Sequence, residues 1–269
     1  MEILFLGTSS GWPLPRLGCG CEICSSDDPK DKRSRPALLV NRTVLLDAPI
    51  DIYGQLQKNS IDPRKLTHIA ITHAHDDHVF GLYDLSHIYN RVTADYRLKE
   101  KITLIAPQGV LNAMRKLVGV SMQAFRIREA RPFEKIEIGN DSYVSFIPVE
   151  HGAVEAYGIK IKAPKPIFYA PEFRRILPSS KKEIGDVELA VIDGSSKTGY
   201  GQAKGHETIE EGIRLGKEIH AKKILFTNIG HKTDTHEKLV NFVKETGGNK
   251  SVTAGYRFGI AFDGLEVKV

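Results

Sequence analysis

The stretch ITHAHDDH, residues 71–78, sets three histidines and two aspartates within eight positions directly after an apolar run. A chain with this feature must fold so that a buried strand ends at a focus where several proton-binding side chains meet. His73 and His75 lie two apart, and an extended backbone aims such a pair in one direction. Asp77 and His78 follow and face a neighbouring point. One cation could not use all four groups and stay open to a substrate, whereas two adjacent cations could. Paired metals suit the hydrolysis of a phosphoester, because they generate hydroxide near neutral pH and neutralise charge on the reacting group. The plain alternative, a polar turn rich in histidine, fits poorly with four potential ligands at the mouth of an apolar strand.

Short strand-like runs alternate with helical ones along most of the chain, with Gly, Pro or Asn at many joins. Residues 2–8 read as a strand, 37–41 and 43–48 as a hairpin turning at Asn41-Arg42, and 66–72 as the strand that delivers the histidine-rich segment. Helical spacing follows from about 79 to 92, then a strand leads into the helix QGVLNAMRKLV. After 134 the pattern is strand-rich, with a hairpin across Gly139-Asn140-Asp141. A β–α–β unit occupies 187–194, 206–220 and 222–230, and a last helix near 235–246 precedes a strand-like tail. Two rounds of this kind, without a Pro-, Gly- or Ser-rich linker between them, predict two sheets face to face with helices on both outer surfaces.

At 269 residues and 41% hydrophobic, the chain can bury a substantial core. Its net charge of +5 tolerates an anionic substrate, but Lys and Arg are spread along the chain without an arginine-rich block, so nucleic acid is not the favoured partner. No run is long enough to span a membrane, and the first residues carry no basic segment of a signal peptide, so a cytoplasmic setting is expected. The three cysteines, Cys19, Cys21 and Cys24, cluster in GCGCEIC. In a reducing compartment such clustering favours metal thiolates over disulfides and predicts a structural zinc.

The pattern His73, His75, Asp77, His78 resembles the H-x-H-x-D-H signature of the metallo-β-lactamase superfamily, and the opening LGTSSG and the segment LLDAPID resemble its first strand and strand-ending Asp. Within it, the C-x-C-x-x-C insert is similar to that of the cyclic-phosphate phosphodiesterases of the carbon–phosphorus lyase pathway. The likeness covers nearly the whole chain and implies an α+β fold, a four-layer αββα sandwich, as a single hydrolase domain over 1–269. It further implies two catalytic divalent metals, zinc or manganese, one structural zinc, and a homodimer.

Carried over position by position, the resemblance makes His151 a ligand with His73 and His75, and Glu172 the bridging ligand where relatives use Asp. Asp77 and His206 are the catalytic candidates, Asp77 also as a ligand and His206 as acid or transition-state stabiliser. His206 can equally be read as starting a helix. Asn228 stands where the second metal's last histidine belongs, and offers a carbonyl oxygen better suited to a harder ion. His231 matches the histidine that completes the cysteine site, with His236 as its competitor. Asp47 is expected to orient a ligating imidazole, and Asp193 either to do the same or to cap its strand. The expected function is hydrolysis of a small cyclic or nucleotide-like phosphodiester by metal-activated hydroxide. An RNA-processing endonuclease and a metal-binding sensor without catalysis are the rival expectations.

Overall fold

Apolar runs lay down strands whose two faces both find partners. In the computed structural model, which describes residues 1–90, 101–139, 141–199, 205–247 and 257–269, the strands are β1 (Glu2–Gly7), β2 (Ala37–Val40), β3 (Val44–Leu46), β4 (His68–Ala70), β5 (Thr103–Pro107), β6 (Arg126–Ala130), β7 (Ile136–Gly139), β8 (Ser142–His151), β9 (Val154–Lys162), β10 (Ile167–Ala170), β11 (Leu189–Asp193), β12 (Lys223–Thr227), β13 (Phe258–Ile260) and β14 (Glu266–Lys268). The helices are α1 (Glu22–Ser25), α2 (Ile52–Lys58), α3 (Asp76–Val79), α4 (Leu82–Asn90), α5 (Gln108–Met122), α6 (Pro178–Ile184), α7 (Ile209–Glu218) and α8 (His236–Gly247). One seven-stranded sheet runs β14-β1-β2-β3-β4-β5-β6 and the other β13-β12-β11-β10-β9-β8-β7. Both are mixed, and flanking helices complete the αββα sandwich foreseen in the sequence.

The hairpin-linked pairs β2–β3 and β8–β9 are antiparallel, β3–β4, β4–β5, β10–β11 and β11–β12 are joined through helices and pair parallel, and β1 pairs antiparallel with β2 across the longer connection that carries α1. In the second sheet, Ile167, Tyr169, Leu189, Val191 and Leu225 face the core shared with the first sheet. Their sequence neighbours Phe168, Ala190, Ile192, Ile224 and Phe226 pack with Ile209 and Ile213 of α7 and Leu239 and Val243 of α8. Burial on both faces is why these strands read as continuous apolar runs. Helix α7 lies so close to β12 that a Cβ at Gly216 would stand 1.6 Å from Ile224 Cδ1, and one at Gly212 2.6 Å from Phe226 Cε1.

The Asn41-Arg42 turn forms as expected, both residues having positive φ (49° and 55°), the geometry of the tight hairpin turn. Asn140 of the second hairpin, and residues 91–92 of the helix expected after the histidine-rich segment, lie outside the described residues. Three features differ from the sequence expectation. Asp77 and His78, expected only to follow the strand, sit on the one-turn helix α3. Helix α7 begins after Thr208, whose hydroxyl caps Glu211 N, so His206 stands before the helix and does not start it. The tail is divided: β13 joins the second sheet and β14 the first. The crossing is pinned by buried Arg33, which donates to Thr8 Oγ1 at 2.8 Å and to the Ala261 carbonyl, while Asp263 accepts from Ser34 N at 2.7 Å.

Candidate metal centre

The site assembles at the carboxyl ends of strands. Strand β4 leads to His73 and His75, β10 to Glu172, β11 ends in Asp193, β12 leads to Asn228, and antiparallel β8 ends in His151. Ligand sites of sheet proteins form where strand ends diverge, because the loops that leave them can all turn toward one crevice.

Glu172 is the centre of the arrangement. Its Oε2 lies 3.0 Å from His151 Nε2, 3.3 Å from His73 Nε2 and 3.8 Å from His75 Nδ1. Its Oε1 lies 3.6 Å from His78 Nε2, which is also 3.6 Å from Asp77 Oδ2. Two groups therefore share one carboxylate: His73, His75, His151 and Glu172, and Asp77, His78 and Glu172. Within the first, His75 Nδ1 is 3.0 Å from His73 Nε2 and 3.4 Å from His151 Nε2.

Neighbouring groups fix which ring nitrogens turn inward. Asp47, fully buried with φ of 62°, accepts from His78 Nδ1 at 2.9 Å, Thr72 N at 2.8 Å, Thr72 Oγ1 and the Tyr169 hydroxyl. With Nδ1 so engaged, His78 presents Nε2 to Asp77 and Glu172. The Gly205 carbonyl accepts from His151 Nδ1 at 3.1 Å and turns Nε2 of that ring toward Glu172. His206 Nδ1 donates to Asp193 Oδ2 at 2.8 Å, and Asp193 Oδ1 accepts from Ser195 N at 2.8 Å and Asn228 Nδ2 at 3.4 Å. Asp193 thus both holds a histidine and ties down the turn after its strand.

The electrostatics suit a cation. Burial drives His73 down to about 4, so that its ring is neutral and its lone pair available. Burial also opposes a charge on His78, but the carboxylates of Asp47 and Asp77 outweigh it and raise His78 well above its usual value. Burial alone would raise Glu172, yet the close rings of His151, His73, His75 and His78 hold it well below the ordinary carboxylate range. His206 is lifted to about 9 because the Asp193 contact and charge overcome the penalty of burial. Among the described residues, the buried atoms without a hydrogen-bond partner include His78 Nε2, Asn228 Oδ1 and Ser195 Oγ. Buried polar atoms are seldom left so, and an unpaired ring nitrogen facing two carboxylates is what a divalent ion would satisfy. Donor type, convergence and these orphaned atoms all fit a divalent metal.

A second cluster lies at the N-terminal loop. The sulfurs of Cys19, Cys21 and Cys24 converge, and His231 Nδ1 is 3.4 Å from Cys19 Sγ and 4.0 Å from Cys21 Sγ. His236 is elsewhere: its Nδ1 accepts from Arg33 Nη2 at 3.2 Å and its ring meets Phe262. The structure therefore brings His231, not His236, to the cysteines.

A cleft of about 890 Å³ opens over the first cluster, reached by Trp12, Arg16, Ser195 and Lys197 as well as His206. Sequence reasoning did not find Thr72, Tyr169 or the Gly205 carbonyl. Tyr169 reads as another core aromatic, and a carbonyl leaves no trace in residue type.

Residues 42–229 match the beta-lactamase superfamily domain family. That is well over half of the chain, and the chain belongs to this family; fold and site together define a domain of the metallo-β-lactamase superfamily. The chain is 25% identical over 251 residues to an octanoyltransferase of Porphyromonas gingivalis, covering 88% of this chain and 48% of that protein. It is 24% identical over 284 residues to ribonuclease Z of Lactobacillus gasseri, covering 99% and 83%. The chain thus spans about half the length of the first relative and most of the second. Among solved structures, a new diphosphatase from the PhnP family superposes with a TM-score of 0.81 at 24% identity, covering 99% of this chain and 96% of that one. Zinc-bound PqqB from Methylobacterium extorquens gives 0.79 at 21%, covering 100% of both. At these identities the structural likeness speaks for the fold.

Proposed function

We propose that residues 1–269 form one metal-dependent phosphodiesterase unit acting on a small cyclic or nucleotide-like phosphodiester. The observation that carries this reading is the division of Glu172 between two donor groups, with Oε2 toward three histidines and Oε1 toward His78 and Asp77. Two divalent metals held there would supply an activated water and neutralise charge on the phosphoryl group. The three-histidine group suits zinc; the oxygen-rich group, with Asp77 and Glu172 beside His78, suits a harder ion such as manganese, with Asn228 Oδ1 proposed as its further donor. The three thiols and His231 would hold a structural zinc.

The chain's own residues do the rest. Asp47 and the Gly205 carbonyl hold the rings of His78 and His151 in one tautomer each. His206, kept protonated by Asp193, stands at the cleft with a proton to give to the leaving oxygen. The diphosphatase neighbour supports a phosphoryl substrate, because diphosphates and phosphodiesters present the same charged centre. No described helix is long and apolar enough to cross a membrane, and the free, clustered thiols support a cytoplasmic setting.

His73→Ala and His75→Ala should each lower turnover of a cyclic ribose phosphate by about a hundred- to a thousandfold, the scale of losing a transition-state-stabilising group, while circular dichroism stays unchanged. Full activity in both variants would refute the reading. RNA processing is the second reading, favoured by the ribonuclease Z match over 99% of this chain. Turnover of precursor tRNA in preference to cyclic ribose phosphates would select it.

A further inference from the structure

Trp12, the chain's single tryptophan, leaves 60% of its surface exposed on the wall of the cleft that holds His75, Asp77 and Glu172. An indole carries about 150–250 Å² of mostly apolar surface that water disfavours. Flexibility is not the reason for its exposure, since the backbone on both sides is clamped. Ser9 Oγ donates to the Trp12 carbonyl, Arg35 Nε donates to the Gly11 carbonyl at 2.9 Å, and Leu14 exchanges two backbone bonds with Arg33. The ring is held as well: the Arg16 guanidinium carbon lies 5.1 Å from its centroid, and Arg16 Nη1 reaches His231 Nε2 at 3.1 Å beside the cysteine cluster. A rigidly presented aromatic face, backed by a cation, is a platform awaiting a planar group.

Two further observations bear on the occupant. The cleft, at about 890 Å³, is near the top of the range for small-molecule sites, about 300–1,000 Å³, and a bare cyclic sugar phosphate would leave most of it empty. Ser195 Oγ also lines it, is buried, and has no hydrogen-bond partner. A phosphoryl group at the metal cluster with a polar sugar and a flat base beyond it would use all three features.

We propose that Trp12 is the stacking platform of a nucleobase subsite, with Ser195 as a hydroxyl partner for the nucleoside, so that the substrate carries a base next to its scissile phosphate. This rests on the phosphodiesterase reading above and narrows it. Base–aromatic stacking changes affinity by about five- to a hundredfold per base.

Isothermal titration of the metal-loaded protein with AMP and with ribose 5-phosphate tests it. AMP should bind at least about tenfold tighter, and should quench tryptophan emission, all of which arises at position 12. Trp12→Leu, which keeps an apolar side chain but removes the π face, should bring the ratio of the two affinities close to one, and Trp12→Phe should restore much of it. Equal affinities in the wild type, or an unchanged ratio in Trp12→Leu, would overturn the proposal even if phosphodiesterase activity is present. AMP selectivity that depends on Trp12 in a protein that cleaves no phosphodiester would instead uphold the subsite and remove the catalytic reading. Oligoadenylates in the same titration separate the sources of the base: affinity independent of length assigns a free nucleotide, and a steep rise with length assigns an RNA end.

Discussion

Asp47 holds its backbone in the left-handed region, uncommon for a residue with a side chain, and hides a carboxylate from water. That cost is sustained because four donors converge on it, and one of them is a ring of the metal cluster. Asp47→Asn keeps the shape but gives His78 Nδ1 either a weaker acceptor or a clashing amide. We expect metal affinity to fall about 10–100-fold, read by competition with a fluorescent chelator, with little change in the fold. At this scale the sequence was informative where chemistry sits in residue type and spacing. His73, His75, Asp77 and His78 announce themselves by density, and the structure brings them together with His151 and Glu172. The orientation of those rings was not legible, because Thr72, Tyr169 and a glycine carbonyl act through geometry that only the fold creates.

Helix α7 shows what an element demands of single positions. Its amphipathic pattern predicts a helix, but the pattern is silent on how near that helix lies to β12. Gly216→Ala forces a methyl into the space of the Ile224 side chain, and overpacking of this kind costs about 1–3 kcal/mol, measurable as a lower urea midpoint with unchanged slope. Just ahead of the same helix, burial and a hydrogen bond with Glu211 raise Glu207 from 4.5 to about 8. The folded state therefore holds a proton that the unfolded state releases above about pH 4.5. This contribution is complete below that value and is lost as pH rises toward 8. Glu207→Gln stays neutral, so its melting temperature should fall less between pH 6 and pH 8.5 than that of the wild type, in paired thermal scans. Boundaries were the least legible part of the elements. The tail reads as strand, yet nothing local says that β13 and β14 join different sheets, since the turn between them is held by Arg33 and Ser34 from far along the chain, through Ala261 and Asp263.

The architecture as a whole was legible because both sheets are written as two rounds of strands followed by strand–helix alternation, and because the doubly covered strands of the second sheet cannot be stable as an open surface. That the loop bearing the cysteines is drawn back to the end of β12 was implied by the family resemblance through His231, and not by the strand and helix pattern. If His231 completes a zinc site there, chelation should lower the melting temperature of the protein. Cys24→Ser should reproduce that loss, because an alkoxide-type donor is a poor substitute for a buried thiolate.

Glu172 leaves the second sheet while His73, His75, Asp77 and His78 leave the first. The cluster consequently exists only while the halves of the sandwich are docked, and bound ions would act as rivets between them. During gentle denaturation the ions should escape as soon as the halves slip, before either sheet melts. Metal release followed by a colorimetric chelator should then precede the loss of far-ultraviolet ellipticity, and coincidence of the two signals would mean that the halves part and unravel as one event.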